Sequence, residues 1–509
     1  MADKYRYADR IARGSALVFA STFITMGLGY LLRLFLTRAL TVEEYGLLYA
    51  VVVFVNFFAL FRDLGVSQAL VKAMPEWEVR GERGKIYGAI RWAMSVQLLV
   101  GGCAAAAIFA AAPWLAEAYF HSSGAVALTQ VMAGAFFVAI FGGVFHASLQ
   151  GLQRIKAYAS LQMANNLFLL AFTVLFVGLG FGIFGATAAY LAGCLAFGLA
   201  AGVTLSKVFV GRARRLNGDD KRKLLGFAFP VLLGFVGASV LGATDTMVLT
   251  YFRSLAEVGL YQAALPTSQI LWSVASAIGI VLFPMVSEMW ARKDKCALSA
   301  GISLLLRFSF MLVLPFALLM LAWPEFVLSM LFGHTYTGGA AALQVLALAA
   351  LAYTGWQIVA VALSGIGKPG TVTNVVFAMA GVNLISNIVL VQIFGTVGVA
   401  LTTLSVFLLG LGAAGAFLSR HIGLKVEMTS VMKTLFSGLI MLTIIFGLKE
   451  MLVLDPWIEV AVSLFAGIVV YTVLVLRLRA VSKAELEMVG RLAVPLPKLA
   501  LRIAQVIAG

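Results

Sequence analysis

The chain has 509 residues, 62% of them hydrophobic and only 12% charged, with a mean hydropathy of +1.01. That composition excludes a water-soluble globular protein, and the length of its apolar runs excludes a transmembrane barrel, whose strands would be short and alternating. A formal charge of +15 raises the question of a nucleic-acid partner, which only the placement of the basic residues can answer.

The first apolar run follows a basic start (Lys4, Arg6, Arg10, Arg13) and continues past Leu36 without a cleavage site, so it reads as a retained helix and not a signal peptide. Further spans of around twenty residues are expected to begin near Gly46, Gly84, Gly124, Ala157, Gly185, Leu224, Glu257, Ala297, Gly338, Gly370, Val397, Thr429 and Asp455. The fold class is therefore all-α integral membrane, with about fourteen transmembrane helices. With the N-terminus placed inside, the basic residues alternate with these spans. Of the 37, only Arg38, Arg253 and Lys449 fall outside, and Arg33, Arg62 and Arg307 lie within helices. The rest gather in inner segments, so the positive-inside rule accounts for the charge and no nucleic acid is needed. The expected placement is a multi-pass protein of the cell (plasma or inner) membrane with both termini cytoplasmic.

The chain repeats itself. Leu36-Thr37 followed by Glu44-Tyr45-Gly46-Leu47 returns at an offset of 213 residues as Leu249-Thr250 followed by Glu257-Val258-Gly259-Leu260. Leu149-Gln150-Gly151-Leu152 answers to Leu363-Ser364-Gly365-Ile366, and Phe184-Gly185-Ala186 to Val397-Gly398-Val399. Six apolar stretches, an even number, separate an anchor from its copy, so both halves take the same orientation as a parallel repeat of two six-helix lobes. The expected organisation is an N-lobe at 1–210, a basic cytoplasmic linker at 211–223 and a C-lobe at 224–420. Two additional C-terminal helices follow at 421–480, and an amphipathic cytoplasmic tail lies at 481–509.

Ionisable residues inside a spanning helix are costly and by default face a protein interior or a watery cavity. Arg33 falls toward the outer end of the first helix, Arg62 and Asp63 toward the inner end of the second, Asp245 toward the outer end of the seventh and Arg307 in the inner half of the ninth. At the 213 offset Arg33 corresponds to Thr246 and Asp245 to Leu32, so the two charges occupy neighbouring equivalent positions. They are expected to meet either as a permanent ion pair or as a latch opened by an anionic substrate. Three deep arginines against two aspartates favour an anionic cargo. Amides form a second group: Asn56, Gln162, Asn165, Asn166, Gln269, Asn383 and Asn387 either line a polar cavity or join helices by hydrogen bonds. Cys103, Cys194 and Cys296 have neither disulfide nor metal spacing, the four histidines make no ligand pair, and no phosphate loop follows a strand, so no metal, cofactor or catalytic set is expected.

The stretch Arg38-Ala39-Leu40-Thr41-Val42-Glu43-Glu44-Tyr45-Gly46-Leu47, followed by Asp63-Leu64-Gly65, resembles the polysaccharide-transport (Wzx-type) oligosaccharide-lipid flippases of the multidrug/oligosaccharidyl-lipid/polysaccharide exporter superfamily. Asp245 with Val258-Gly259-Leu260-Tyr261 is similar to that family's second-lobe signature. The resemblance implies translocation of a polyprenyl-(pyro)phosphate-linked oligosaccharide to the outer leaflet by alternating access, for cell-surface polysaccharide or glycan biosynthesis. It implies no enzymatic activity. Its partners would be that lipid-linked oligosaccharide, membrane lipids and glycan-assembly enzymes, and a monomer would suffice. It also makes Arg33, Arg62 and Arg307 the candidates for the substrate phosphate; Asp63 and Asp245, from their places in the helices, are the candidates for a gate or for H+ or Na+ coupling. Two rivals remain. An ion-coupled multidrug exporter of the same superfamily would commonly have twelve helices and handle cations, and a polysaccharide polymerase or ligase would need a large outer loop with reactive groups. The outer connections Ala111–Ser123 and Trp323–Thr337 are short and carry no basic residue.

Overall fold

A computed structural model describes residues 2–208, 216–451 and 455–480, with side chains from residue 20 onward except that of residue 281. The amphipathic tail expected at 481–509 and part of the basic linker lie outside the described residues. Every regular element among the described residues is helical. In chain order these are α1 (Ala2–Ala39), α2 (Val42–Phe57), α3 (Ala59–Asp63), α4 (Val66–Val79), α5 (Arg83–Ala118), α6 (Ala125–Gly151), α7 (Ile155–Phe176) and α8 (Gly182–Val208). After the linker come α9 (Gly218–Phe252), α10 (Leu255–Ala291), α11 (Lys295–Ala322), α12 (Pro324–Phe332), α13 (Ala340–Gly365), α14 (Pro369–Ile422), α15 (Met428–Met451) and α16 (Pro456–Arg477).

Among the described residues, twelve helical stretches are long and apolar enough to cross a membrane, and two of them, Ile155–Val208 and Pro369–Ile422, run for 54 residues each. An unbroken helix of that length would reach about 80 Å, far more than the ~30 Å hydrocarbon layer. Neither is unbroken. α7 passes through a π-helical turn, Val177–Phe181, and ends at Gly182 (φ 53°, ψ −136°), while α14 breaks at Gly395 (φ 56°, ψ −131°). The two glycines stand 213 residues apart and share a conformation that side chains resist, so each long stretch is two crossings and the total is the expected fourteen.

The repeated motif has a local physical meaning. Thr41 caps α2 in a reciprocal capping box: Glu44 N donates to Thr41 Oγ1 at 3.2 Å and Thr41 N donates to Glu44 Oε2 at 2.9 Å. In the copy, Glu257 N donates to the Ser254 hydroxyl at 3.3 Å. One turn later come Gly46 and Gly259, and each is where the other copy's backbone passes. A Cβ on Gly46 would sit 1.9 Å from the Leu255 carbonyl oxygen, and one on Gly259 would sit 2.2 Å from that of Val42. Val42 and Leu255 are again separated by 213, so the contact is reciprocal.

The chain packs as two compact units, Met1–Gln262 and Ala263–Gly509. In the first, α9 joins the earlier helices through α2 and α4, and residues from Gly218 of the expected linker are already helical, capped by Asn217, whose Oδ1 accepts from Asp220 N at 2.8 Å. Val66, Leu70, Met74, Ile86, Leu149 and Leu224 form part of its core. In the second unit the two additional helices pack on α11. Leu314, Leu318, Met441, Ile445 and Val460 are buried together, and the Tyr471 hydroxyl donates to the Met311 carbonyl oxygen at 2.8 Å.

Candidate functional site

Arg33 lies nearly two turns from the end of α1, where α2, α9 and α10 supply its surroundings. Its Nη1 donates to the Tyr45 hydroxyl at 3.3 Å and to two oxygens of Gln262, the carbonyl at 3.2 Å and Oε1 at 3.3 Å. The guanidinium carbon stands 4.1 Å from the centre of the Tyr49 ring. All these partners are neutral, and Arg33 makes no ion pair among the described residues. Gln262 is held in turn, because its Nε2 donates to Thr246 Oγ1 at 2.7 Å. Next to it the Tyr261 hydroxyl donates to Asp245 Oδ2 at 2.9 Å, and Asp245, Tyr261 and Gln262 are all buried. Arg33 and Asp245 therefore share one polar cluster, joined through consecutive residues of α10. Neither a permanent ion pair nor a latch between the two is needed to account for the bonds that Arg33 makes.

The sequence reading missed Tyr45, Tyr49 and Gln262, although a signal was there. Tyr49 and Gln262 are equivalent at the 213 offset, as are Arg33 and Thr246, so the Arg33–Tyr49 and Thr246–Gln262 contacts are the same pair in the two copies.

A second arginine has a similar environment. Arg62 lies in α3, and its Nη1 donates to the Phe136 carbonyl oxygen at 3.1 Å while the guanidinium carbon stands 5.1 Å from the Phe136 ring. A Cβ on Gly101 would come 2.8 Å from Arg62 Cγ, so that glycine makes room for the side chain. Asp63 turns elsewhere: it accepts from Ser67 N at 3.2 Å, from the Ser67 hydroxyl and from Gln97 Nε2 at 2.8 Å. Between Asp63 and Ser67 the backbone is left-handed at Leu64 (φ 50°) and Gly65 (φ 73°), and Asp63 supplies a side-chain cap to α4 across that break.

Arg307 differs. Its own helix offers no acid, but Nη1 pairs with Glu427 and donates to the Ser430 hydroxyl at 3.0 Å, so it ties α11 to the start of α15. Among the amides, Asn383 and Asn387 are buried in α14, where Asn387 Nδ2 donates to Asn383 Oδ1 at 3.2 Å one turn away in the same helix. On α7, Gln162, Asn165 and Asn166 are half-buried, with Asn166 Nδ2 donating to the Gln162 carbonyl oxygen at 3.4 Å. Asn56 is exposed on α2 and Gln269 half-buried on α10. The three cysteines are free, and no metal-ligand cluster occurs among the described residues.

An all-helical membrane protein whose motifs, glycine breaks and buried polar contacts recur at a 213-residue offset has the architecture of membrane transporters with repeated lobes. Residues 11–290, more than half of the chain, match the family described as polysaccharide biosynthesis protein. An uncharacterised membrane protein of Methanocaldococcus jannaschii is 29% identical over 414 residues, covering 78% of this chain and 82% of that protein. A probable low-salt glycan biosynthesis flippase, Agl15, of Haloferax volcanii is 23% identical over 273 residues, covering 54% of this chain and 58% of the relative. Among solved structures, the lipid II flippase MurJ in an inward closed conformation superposes with a TM-score of 0.74 at 15% identity, covering 90% of this chain and 98% of MurJ. The chain belongs to the polysaccharide biosynthesis protein family, and its fold is the one seen in MurJ.

Proposed function

We propose that the protein moves a polyprenyl-(pyro)phosphate-linked oligosaccharide from the cytoplasmic to the outer leaflet of the cell membrane by alternating access, as a step in cell-surface polysaccharide or glycan biosynthesis. The observation that carries this reading is Arg33. A half-buried guanidinium bonds to hydroxyl and amide groups and, among the described residues, pairs with no carboxylate directly, Asp245 joining it only through Tyr261 and Gln262, so an anionic substrate group would supply the direct partner that Arg33 lacks there. Arg62, whose side chain bonds to a backbone carbonyl and lies against a ring, offers a second position for a phosphate. The reciprocal Gly46/Gly259 crossing lies beside Tyr45 and Tyr261 of the Arg33 cluster, and parting it would expose Arg33 on that side. Arg307, already paired with Glu427, serves as a clasp.

The test is leaflet accessibility of a lipid-linked oligosaccharide in proteoliposomes carrying the purified protein, with and without proton or sodium gradients. Protein-dependent translocation is expected. No translocation of several lipid-linked glycans, together with gradient-driven efflux of a cationic dye, would replace this reading with that of a multidrug exporter.

A further inference from the structure

Helix α4 and the first turns of α9 face each other across a groove of about 470 Å³ within the first compact unit. α4 turns one face toward it, Ala69, Lys72, Ala73, Glu76, Trp77 and Arg80, at helical spacing. α9 answers with Asp220, Lys223, Leu224 and Phe227, and Lys85 closes one end from α5. The floor is apolar, and the rim carries four cations against two carboxylates.

The ion pairs do not cancel this surplus. Lys85 stands 3.1 Å from Glu82 Oε2 and 3.7 Å from Asp220 Oδ2, so its charge is already matched. Lys72 Nζ lies 4.1 Å above the Phe227 ring, a neutral partner. Arg80 and Lys223 make no ion pair among the described residues. The groove belongs to the side that gathers the basic loops, and next to Arg80 an aliphatic side chain, Val79, is 89% exposed. An amphipathic helix with an outward valine beside an arginine suits the boundary between headgroups and acyl chains. Basic pockets between helices at that depth bind anionic headgroups.

We propose that this groove is a docking site for the phosphodiester headgroup of an anionic phospholipid from the basic-side leaflet, with Arg80 and Lys223 taking the phosphate and the Ala69–Ala73–Leu224–Phe227 floor taking the glycerol and first acyl carbons. A lipid seated there would bridge α4 and α9 at the end opposite the Arg33 cluster. The inference is separate from the transport reading, because it concerns a resident lipid and not the cargo.

The experiment uses the full-length protein, delipidated in a neutral detergent. Binding and melting temperature are followed with phosphatidylglycerol, phosphatidylcholine and inorganic phosphate in parallel. Phosphatidylglycerol is expected to bind and raise the melting temperature, with little effect of the other two. In the Arg80→Gln, Lys223→Gln double variant its affinity should fall about thirtyfold, at roughly 1 kcal/mol per cation near an anionic surface. Arg420→Gln with Lys425→Gln, two basic-side residues that do not line the groove, should leave binding unchanged. If the double variant fails to fold, Arg80→Gln alone, at an exposed position, should lower affinity about fivefold. Equal binding of phosphatidylglycerol and phosphatidylcholine, equal losses in both double variants, or saturation by inorganic phosphate would each overturn the proposal.

Discussion

Arg33 meets Tyr49 face on and donates to Tyr45 and to both oxygens of Gln262, so among the described residues its direct partners are neutral. All three bonds leave from Nη1, and the guanidinium plane lies over Tyr49, a contact that a lysine ammonium would lose even where it reached the same acceptors. Arg33→Gln and Arg33→Lys should both lower translocation in the leaflet assay by at least tenfold, since a hydrogen bond to a charged group contributes about 1.5–3 kcal/mol, while the protein still elutes as a folded species. Arg307→Gln should behave differently. Its partner Glu427 is 66% exposed at the side chain, and a pair of that kind contributes less than about 1 kcal/mol, so translocation should persist with a small drop in melting temperature. Loss of translocation in Arg307→Gln with normal activity in Arg33→Gln would reverse the assignment. The charged members of this cluster were legible in the sequence because charge stands out against hydropathy. Tyr45, Tyr49 and Gln262 were not, since uncharged polar residues look alike whether they face a cavity, a neighbour or lipid. Glu427 was missed as the partner of Arg307 because it lies 120 positions along the chain in a loop.

Helices α2 and α10 begin alike, with a hydroxyl cap, an acid three positions on and a glycine two further on, and the copies touch at those glycines. The repeat was legible as a pattern of letters. Its content was not, because the crossing is set by tertiary approach, and a glycine in a helix otherwise reads only as a weak point. Both clashes are with backbone carbonyl oxygens, which cannot turn away as a side chain would. Gly46→Ala and Gly259→Ala should each destabilise by up to ~3 kcal/mol, the upper end of ordinary overpacking, and lower the melting temperature. The two glycines act at one crossing, so the double variant should lose clearly less than the sum of the singles, because the first methyl already separates the helices. Additive losses would show that the glycines serve separate contacts.

The fourteen crossings follow from hydropathy, but the two turns hidden inside 54-residue helical stretches follow from single glycines, Gly182 and Gly395, whose backbone only the structure displays. From sequence the spans were separated by the repeat anchors just beyond these glycines. A reading by helix length alone would give twelve crossings, and the two counts differ in a testable way. Eight crossings precede Cys296 if Ile155–Val208 turns back at Gly182, and seven if it crosses once. Cys296 is exposed in the first turn of α11. In a variant with Cys103 and Cys194 replaced by serine, the hairpin therefore puts Cys296 on the same side as the N-terminus, whereas a single crossing puts it on the opposite side. A membrane-impermeant maleimide applied to intact cells should leave Cys296 unlabelled until the membrane is opened, in parallel with an epitope placed at the N-terminus. Labelling of Cys296 in intact cells while the epitope stays protected would mean an odd number of crossings between them. It would then place the Lys293–Lys295 cluster on the outer face, and the charge distribution that removed the nucleic-acid reading would no longer obey the positive-inside rule.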